Sequence, residues 1–178
     1  MSEVIDFEED ILEEAEMGSL YHSTTQARIT TLLGSEERFQ VMVELSLDAS
    51  QIDLNQFGVK AKDELKPDIS VYIKQLPTQT GKKLKLDADM MKVAKMPVLA
   101  IEILSPNQTI NELLRRIEAL FALGIKSCWL VIPALEEIRV YGQDFAYKTF
   151  DTQRDTDVID DALDISLPIQ KIFEDFEW

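Results

Sequence analysis

Two carboxylates stand where a charge is hard to accommodate. Glu102 interrupts Pro97 to Leu104 (PVLAIEIL), a run otherwise apolar on both faces, as in a central strand covered from both sides. A charged carboxylate there is strongly unfavourable unless it is paired, hydrogen-bonded or bound to a cation. Asp68 follows Pro67 at the start of a second segment, Asp68 to Lys74. Here Ile69, Val71 and Ile73 alternate with Asp68, Ser70 and Tyr72, the period of two expected of a strand. If the two strands are neighbours, both carboxylates can point at one place. Such a pair can hold Mg²⁺ and still leave coordination positions for water and phosphate. Taken singly, each acid also has a structural reading: Glu102 in a buried salt bridge to Arg115, Arg116 or a lysine, and Asp68 as a turn aspartate before a strand.

Several further elements must position this pair. A first helix is expected from about Ser23 to Leu33, with Ser23 or Thr24 as cap, Leu32 and Leu33 inward and Gly34 as the stop. Arg38 to Leu47 reads as a strand. Beyond Glu102, Ser105-Pro106-Asn107 leads into a helix from about Thr109 to Leu123. Its Ile110, Leu113, Leu114, Ile117, Leu120 and Phe121 keep the spacing of one helix face, and Gly124 ends it. A second buried strand, Ser127 to Ile132, passes through Pro133 to Ile138–Tyr141 and Ala146–Phe150, a small antiparallel extension. This order predicts an α/β fold with a mixed central sheet flanked by helices.

With 178 residues, 46% of them apolar, the chain is expected to form one domain over 1–178. No run is long enough to span a membrane, and the first residues are acidic rather than basic and then apolar, so a cytoplasmic protein is expected. The lone Cys128 lies beside Trp129, Leu130, Val131 and Ile132 and reads as a buried thiol. The net charge of −15 opposes a phosphate-bearing partner, but it is unevenly spread. Residues 1–16 form an acidic arm with eight acids and no base, and 151–178 hold nine acids against two bases. The middle is neutral, and its Lys60 to Lys95 stretch carries nine lysines against five acids. Lys82, Lys83 and Lys85, between the two site strands, are candidates for backbone contact, or else a solvated loop face.

Lys66-Pro67-Asp68-Ile69-Ser70-Val71, followed by Val98-Leu99-Ala100-Ile101-Glu102-Ile103-Leu104-Ser105-Pro106, resembles the PD-(D/E)XK nuclease superfamily. More narrowly, it resembles the Uma-two family of cyanobacterial-type endonucleases. The likeness continues through Phe121 to Ile125, Cys128 to Val131 and Ile165 to Ile169, covering roughly Tyr21 to Phe173. It implies a restriction-endonuclease-like fold, hydrolysis of DNA phosphodiesters and a Mg²⁺ or Mn²⁺ cofactor. By the resemblance, Asp68 and Glu102 are metal-binding acids and the Ile103 carbonyl is a further ligand. A homodimer follows only by analogy with nucleases that cut both strands.

The chain also departs from the pattern. Leu104 stands where the superfamily places lysine. The family's basic residue from the next helix aligns with Arg116, and its acidic partner with Glu112. Arginine can neutralise developing phosphate charge but cannot lose a proton to activate water. Glu112 has a structural reading too, because Thr109-Ile110-Asn111-Glu112 matches a capping box. Ile132 stands where relatives often carry aspartate. Glu14 or Glu16 could add a third carboxylate. His22, the only histidine, could be a ligand or an ordinary residue at a helix start.

Two functions are therefore expected in competition. One is a metal-dependent endonuclease in which Asp68 and Glu102 hold the metal and Arg116 stabilises transition-state charge. The other is a catalytically degenerate nuclease-like fold acting as a binding or assembly module, favoured by Leu104, Arg116 and Ile132. In a third reading, the acidic ends bind a basic partner or cover the cleft.

Overall fold

The apolar segment around Glu102 forms the middle of a six-stranded sheet. The computed structural model describes residues 18–75 and 89–175. Among them, helix α1 (Leu20–Gly34) precedes β1 (Phe39–Val43), the short β2 (Leu47–Asp48) and β3 (Glu64–Leu65), and β4 (Ile69–Ile73). Then come β5 (Leu99–Ile103), α2 (Ile110–Ala122), β6 (Ser127–Ile132), β7 (Glu137–Gly142) and β8 (Tyr147–Asp151). A hairpin of β9 (Asp157–Asp160) and β10 (Ile165–Pro168) leads to the short α3 (Ile169–Phe173).

The main sheet runs β1-β4-β5-β6-β7-β8. Its one parallel pair is β5 with β6, joined by α2, as a parallel pair needs a crossover; the other neighbours are antiparallel. Strand alternation sorts β5 into two cores. Leu99, Ile101 and Ile103 pack with Ile29 and Leu33 of α1 and with Ile169 and Ile172 of α3. Ala100, with Cys128, Leu130 and Ile132 of β6, packs under Leu113, Ile117 and Leu120 of α2. Glu102 falls in the second set, on the α2 face, and is only 3% exposed.

Most elements match the sequence-based expectations, with informative shifts. Helix α1 begins earlier than Ser23: the Ser19 side chain accepts from the His22 N–H and caps it. The expected strand to Leu47 stops at Val43 because Glu44 adopts φ 50, a left-handed conformation that breaks the extended run. The capping box of α2 is present, with both Thr109–Glu112 contacts made. Cys128 is buried and unbonded, as expected. Among the described residues, no helix is long and apolar enough to cross a membrane. The acidic arm with Glu14 and Glu16, and Lys82, Lys83 and Lys85, lie outside the described residues.

Candidate functional site

The register of β4 against β5 determines where the two acids meet. Ile69 pairs with Ile101 in an antiparallel ladder, so one step further Asp68 stands across from Glu102. Opposed residues of such a pair project to the same side of the sheet. The Ile103 N–H, on the last residue of β5, donates to Asp68 Oδ2 at 2.6 Å, which ties the carboxylate to the end of the neighbouring strand.

Each carboxylate has a basic partner from a different helix. His22 Nε2, in the first turns of α1, lies 3.0 Å from Asp68 Oδ1. Four residues on, and therefore on the same helix face, Gln26 Nε2 donates to the Asp68 carbonyl at 2.9 Å. The Glu44 N–H donates to that same carbonyl at 3.1 Å. On the other side, Arg116 Nε donates to Glu102 Oε1 at 3.0 Å, and its Nη2 donates to the Lys66 carbonyl at 2.9 Å. Arg116 thus spans from the buried acid on β5 to the residue before the Pro67-Asp68 step.

Electrostatics follow from burial. Glu102 is raised to about 7, chiefly because burial disfavours its charge, with Asp68 adding repulsion; Arg116 and His22 act against the rise. His22 is raised from its ordinary value by its bond to Asp68, with Glu44 and Glu102 adding to this and burial opposing it. Its other nitrogen, Nδ1, is buried without a hydrogen-bond partner.

The donor chemistry fits a divalent cation of the hard kind. Two opposed carboxylates supply oxygen ligands, and the burial and repulsion that raise Glu102 are what a nearby cation relieves. No group of three or more His, Cys, Asp or Glu capable of holding a metal occurs among the described residues. A cation would therefore take Asp68, Glu102 and a backbone oxygen such as that of Ile103, with water and substrate completing its shell. Leu104 puts no cation at its position. The nearest guanidinium comes from α2 instead.

Of the sequence candidates, Asp68, Glu102, Ile103 and Arg116 come together. Glu112 is occupied in capping α2, and Ile132 is buried in the α2-side core. His22 and Gln26 were the positions hardest to anticipate as partners of Asp68. Their signal was the i, i+4 spacing on one helix, but nothing in the sequence gave that face a target.

Residues 3–170 match the Uma2 family, whose description is "Putative restriction endonuclease". The chain belongs to the Uma2 family. Among solved structures, this Uma2 chain is similar to a "putative nuclease belonging to DUF820" from Anabaena variabilis. The TM-score is 0.65 at 22% identity, covering 88% of this chain and 82% of that one. At that identity the likeness concerns the fold, which is restriction-endonuclease-like: a central, mostly antiparallel sheet flanked by helices. A comparison with curated proteins gives no match.

Proposed function

We propose that this Uma2 protein is a metal-dependent endonuclease acting on DNA phosphodiester bonds. The observation that supports the reading is the opposition of Asp68 and Glu102 across β4 and β5, each held by a basic residue from a separate helix. Asp68 and Glu102, with the Ile103 carbonyl, would hold Mg²⁺ or Mn²⁺. When bound, such an ion polarises the scissile phosphate and lowers the pKa of an attacking water.

The chain's own residues supply the rest. His22 and the Ile103 N–H fix the two oxygens of Asp68, so the carboxylate faces the site in one orientation. Arg116, anchored on Glu102 and on the Lys66 carbonyl, holds a permanent positive charge beside the acids, where charge develops on the phosphate oxygens. It cannot act as a base, so it stabilises charge without moving a proton. The reading includes a homodimer that would present two sites to a duplex.

One observation favours the second reading, a degenerate module. Arg116 already neutralises Glu102 in a salt bridge, and Leu104 supplies no lysine. Calorimetry with Mg²⁺ and Mn²⁺ on wild type and on the Asp68→Ala, Glu102→Ala double variant, with plasmid nicking on the same samples, separates the two. Binding and nicking that vanish together in the variant support the enzyme. A wild type that binds neither ion supports the module.

A further inference from the structure

A cavity of about 560 Å³ opens beside the carboxylate pair, within the roughly 300–1,000 Å³ typical of small-molecule sites. Its walls are the first turns of α1, the residues after β5, the turn between β6 and β7, and the end of α3. We propose that it receives one unstacked base of a single-stranded stretch of nucleic acid whose phosphate lies at Asp68 and Glu102. The proposal rests on the nuclease reading and names the form of substrate that the site takes.

Position comes first. Leu104 lines the cavity and directly follows Ile103, whose N–H holds Asp68. Tyr21 and Thr25 also line it, the one next to His22 in sequence and the other next to it one turn on, and His22 holds the other oxygen of Asp68. The cavity and the acids thus share two walls, so a nucleotide with its phosphate at the acids has its base within reach of the cavity.

The charges exclude a phosphate from the cavity itself. The cation in its lining is Arg28, whose guanidinium is already bound to the carbonyls of Ile172 and Glu174. Glu136, Glu174 and Asp175 also line it and repel an anion. A neutral, flat group is not repelled. Leu104, Pro133, Leu135 and the ring of Phe173 offer it apolar surface against which a base can lie.

The test uses full-length protein, Ca²⁺ in place of Mg²⁺, and a short single-stranded DNA oligonucleotide carrying one 2-aminopurine. On binding to wild type, 2-aminopurine fluorescence should change as the base leaves its neighbours. Ala134→Trp fills the cavity from an exposed lining position and should weaken single-strand binding by about tenfold or more, as loss of one stacked base does. Mg²⁺ binding by calorimetry should be unchanged in this variant. Leu135→Trp, at a side chain 60% exposed, carries the same test if Ala134→Trp does not fold. If wild type nicks DNA but the filled variants bind the strand as tightly as wild type, the base pocket is wrong and the nuclease reading stands. If wild type neither binds Mg²⁺ nor nicks, the nuclease reading falls and the base pocket with it.

Discussion

Arg116 Nε donates to Glu102 Oε1 at 3.0 Å while its Nη2 reaches the Lys66 carbonyl, so one guanidinium joins the buried acid of β5 to the approach to β4. The contact closes a row of four groups across the end of the sheet: His22, Asp68, Glu102 and Arg116. In metal-free protein the row balances its own charges. A bound cation would share the two central carboxylates with their basic partners.

Replacing Arg116 with methionine removes the charge partner of a side chain only 4% exposed. Metal-free protein should lose about 1–3 kcal/mol, less than for a fully buried pair because Arg116 is partly open to solvent. Urea denaturation in chelator measures it, and saturating Mg²⁺ should shrink the deficit by stabilising Glu102 in arginine's place. Arg116→Lys should fold normally yet nick at least about tenfold more slowly, because lysine lacks the fork that meets Glu102 and the Lys66 carbonyl together.

His22→Ala leaves Asp68 held only through Ile103 on its other oxygen. Loss of an orienting partner of a metal ligand weakens metal affinity by about 10- to 100-fold. Calorimetry with Mn²⁺ should show a fall of that order, with a circular-dichroism spectrum like that of wild type.

Stability should depend on pH through the same row. Glu102 is raised from 4.5 to about 7, so the folded chain holds a proton that the unfolded chain releases. The unfolded state therefore binds fewer protons across this window, and stability falls as pH rises from about 4.5 to about 7. His22 acts in the same direction: its folded value lies above 6.5, so its contribution is complete below 6.5 and is lost as pH climbs through the folded value. Relief of the −15 net charge at low pH has the same sign, so the informative quantity is a difference. In chelator, Glu102→Gln should show a visibly shallower decline between pH 5 and pH 8 than wild type, about a few kcal/mol at most. Parallel curves would contradict the assignment.

A distant site provides a control. Asp160, 1% exposed, accepts from Ser127 Oγ at 2.5 Å and Trp129 Nε1 at 2.8 Å, pinning the β9–β10 hairpin to β6. Asp160→Ala strands two buried donors and should destabilise by about 2–4 kcal/mol. Nicking per folded molecule, measured below the unfolding transition, should be unchanged.

Legibility in the sequence followed how local each cause was. β5 and β6 could be read because both their faces are apolar, and Glu102 stood out because it broke that rule. The end of α2 and its capping box could be read from residues a few positions apart. The strand pattern from Arg38 to Leu47 runs past the end of β1 because the left-handed turn at Glu44 has no glycine to mark it. The β9–β10 hairpin was not read as strands: Ile159 faces outward, and acids crowd Asp157 to Asp164. Asp68 and Glu102 were legible as a pair from the two strand patterns, provided the strands are neighbours, and the resemblance pointed the same way; the Gln26 and His22 contacts span more than forty residues and depend on how α1 lies on the sheet. Arg116 was foreseen as one of several partners for Glu102, and packing of α2 over Ala100 and Leu130 selected it.

The most direct test is nicking of supercoiled plasmid by wild type and Glu102→Gln, purified side by side, with Mg²⁺ and with chelator. Nicking by wild type in Mg²⁺ that chelator stops and Glu102→Gln lowers by about a hundredfold or more is the predicted result. Absence of Mg²⁺-dependent nicking in the wild type, or nicking that survives Glu102→Gln, would contradict it.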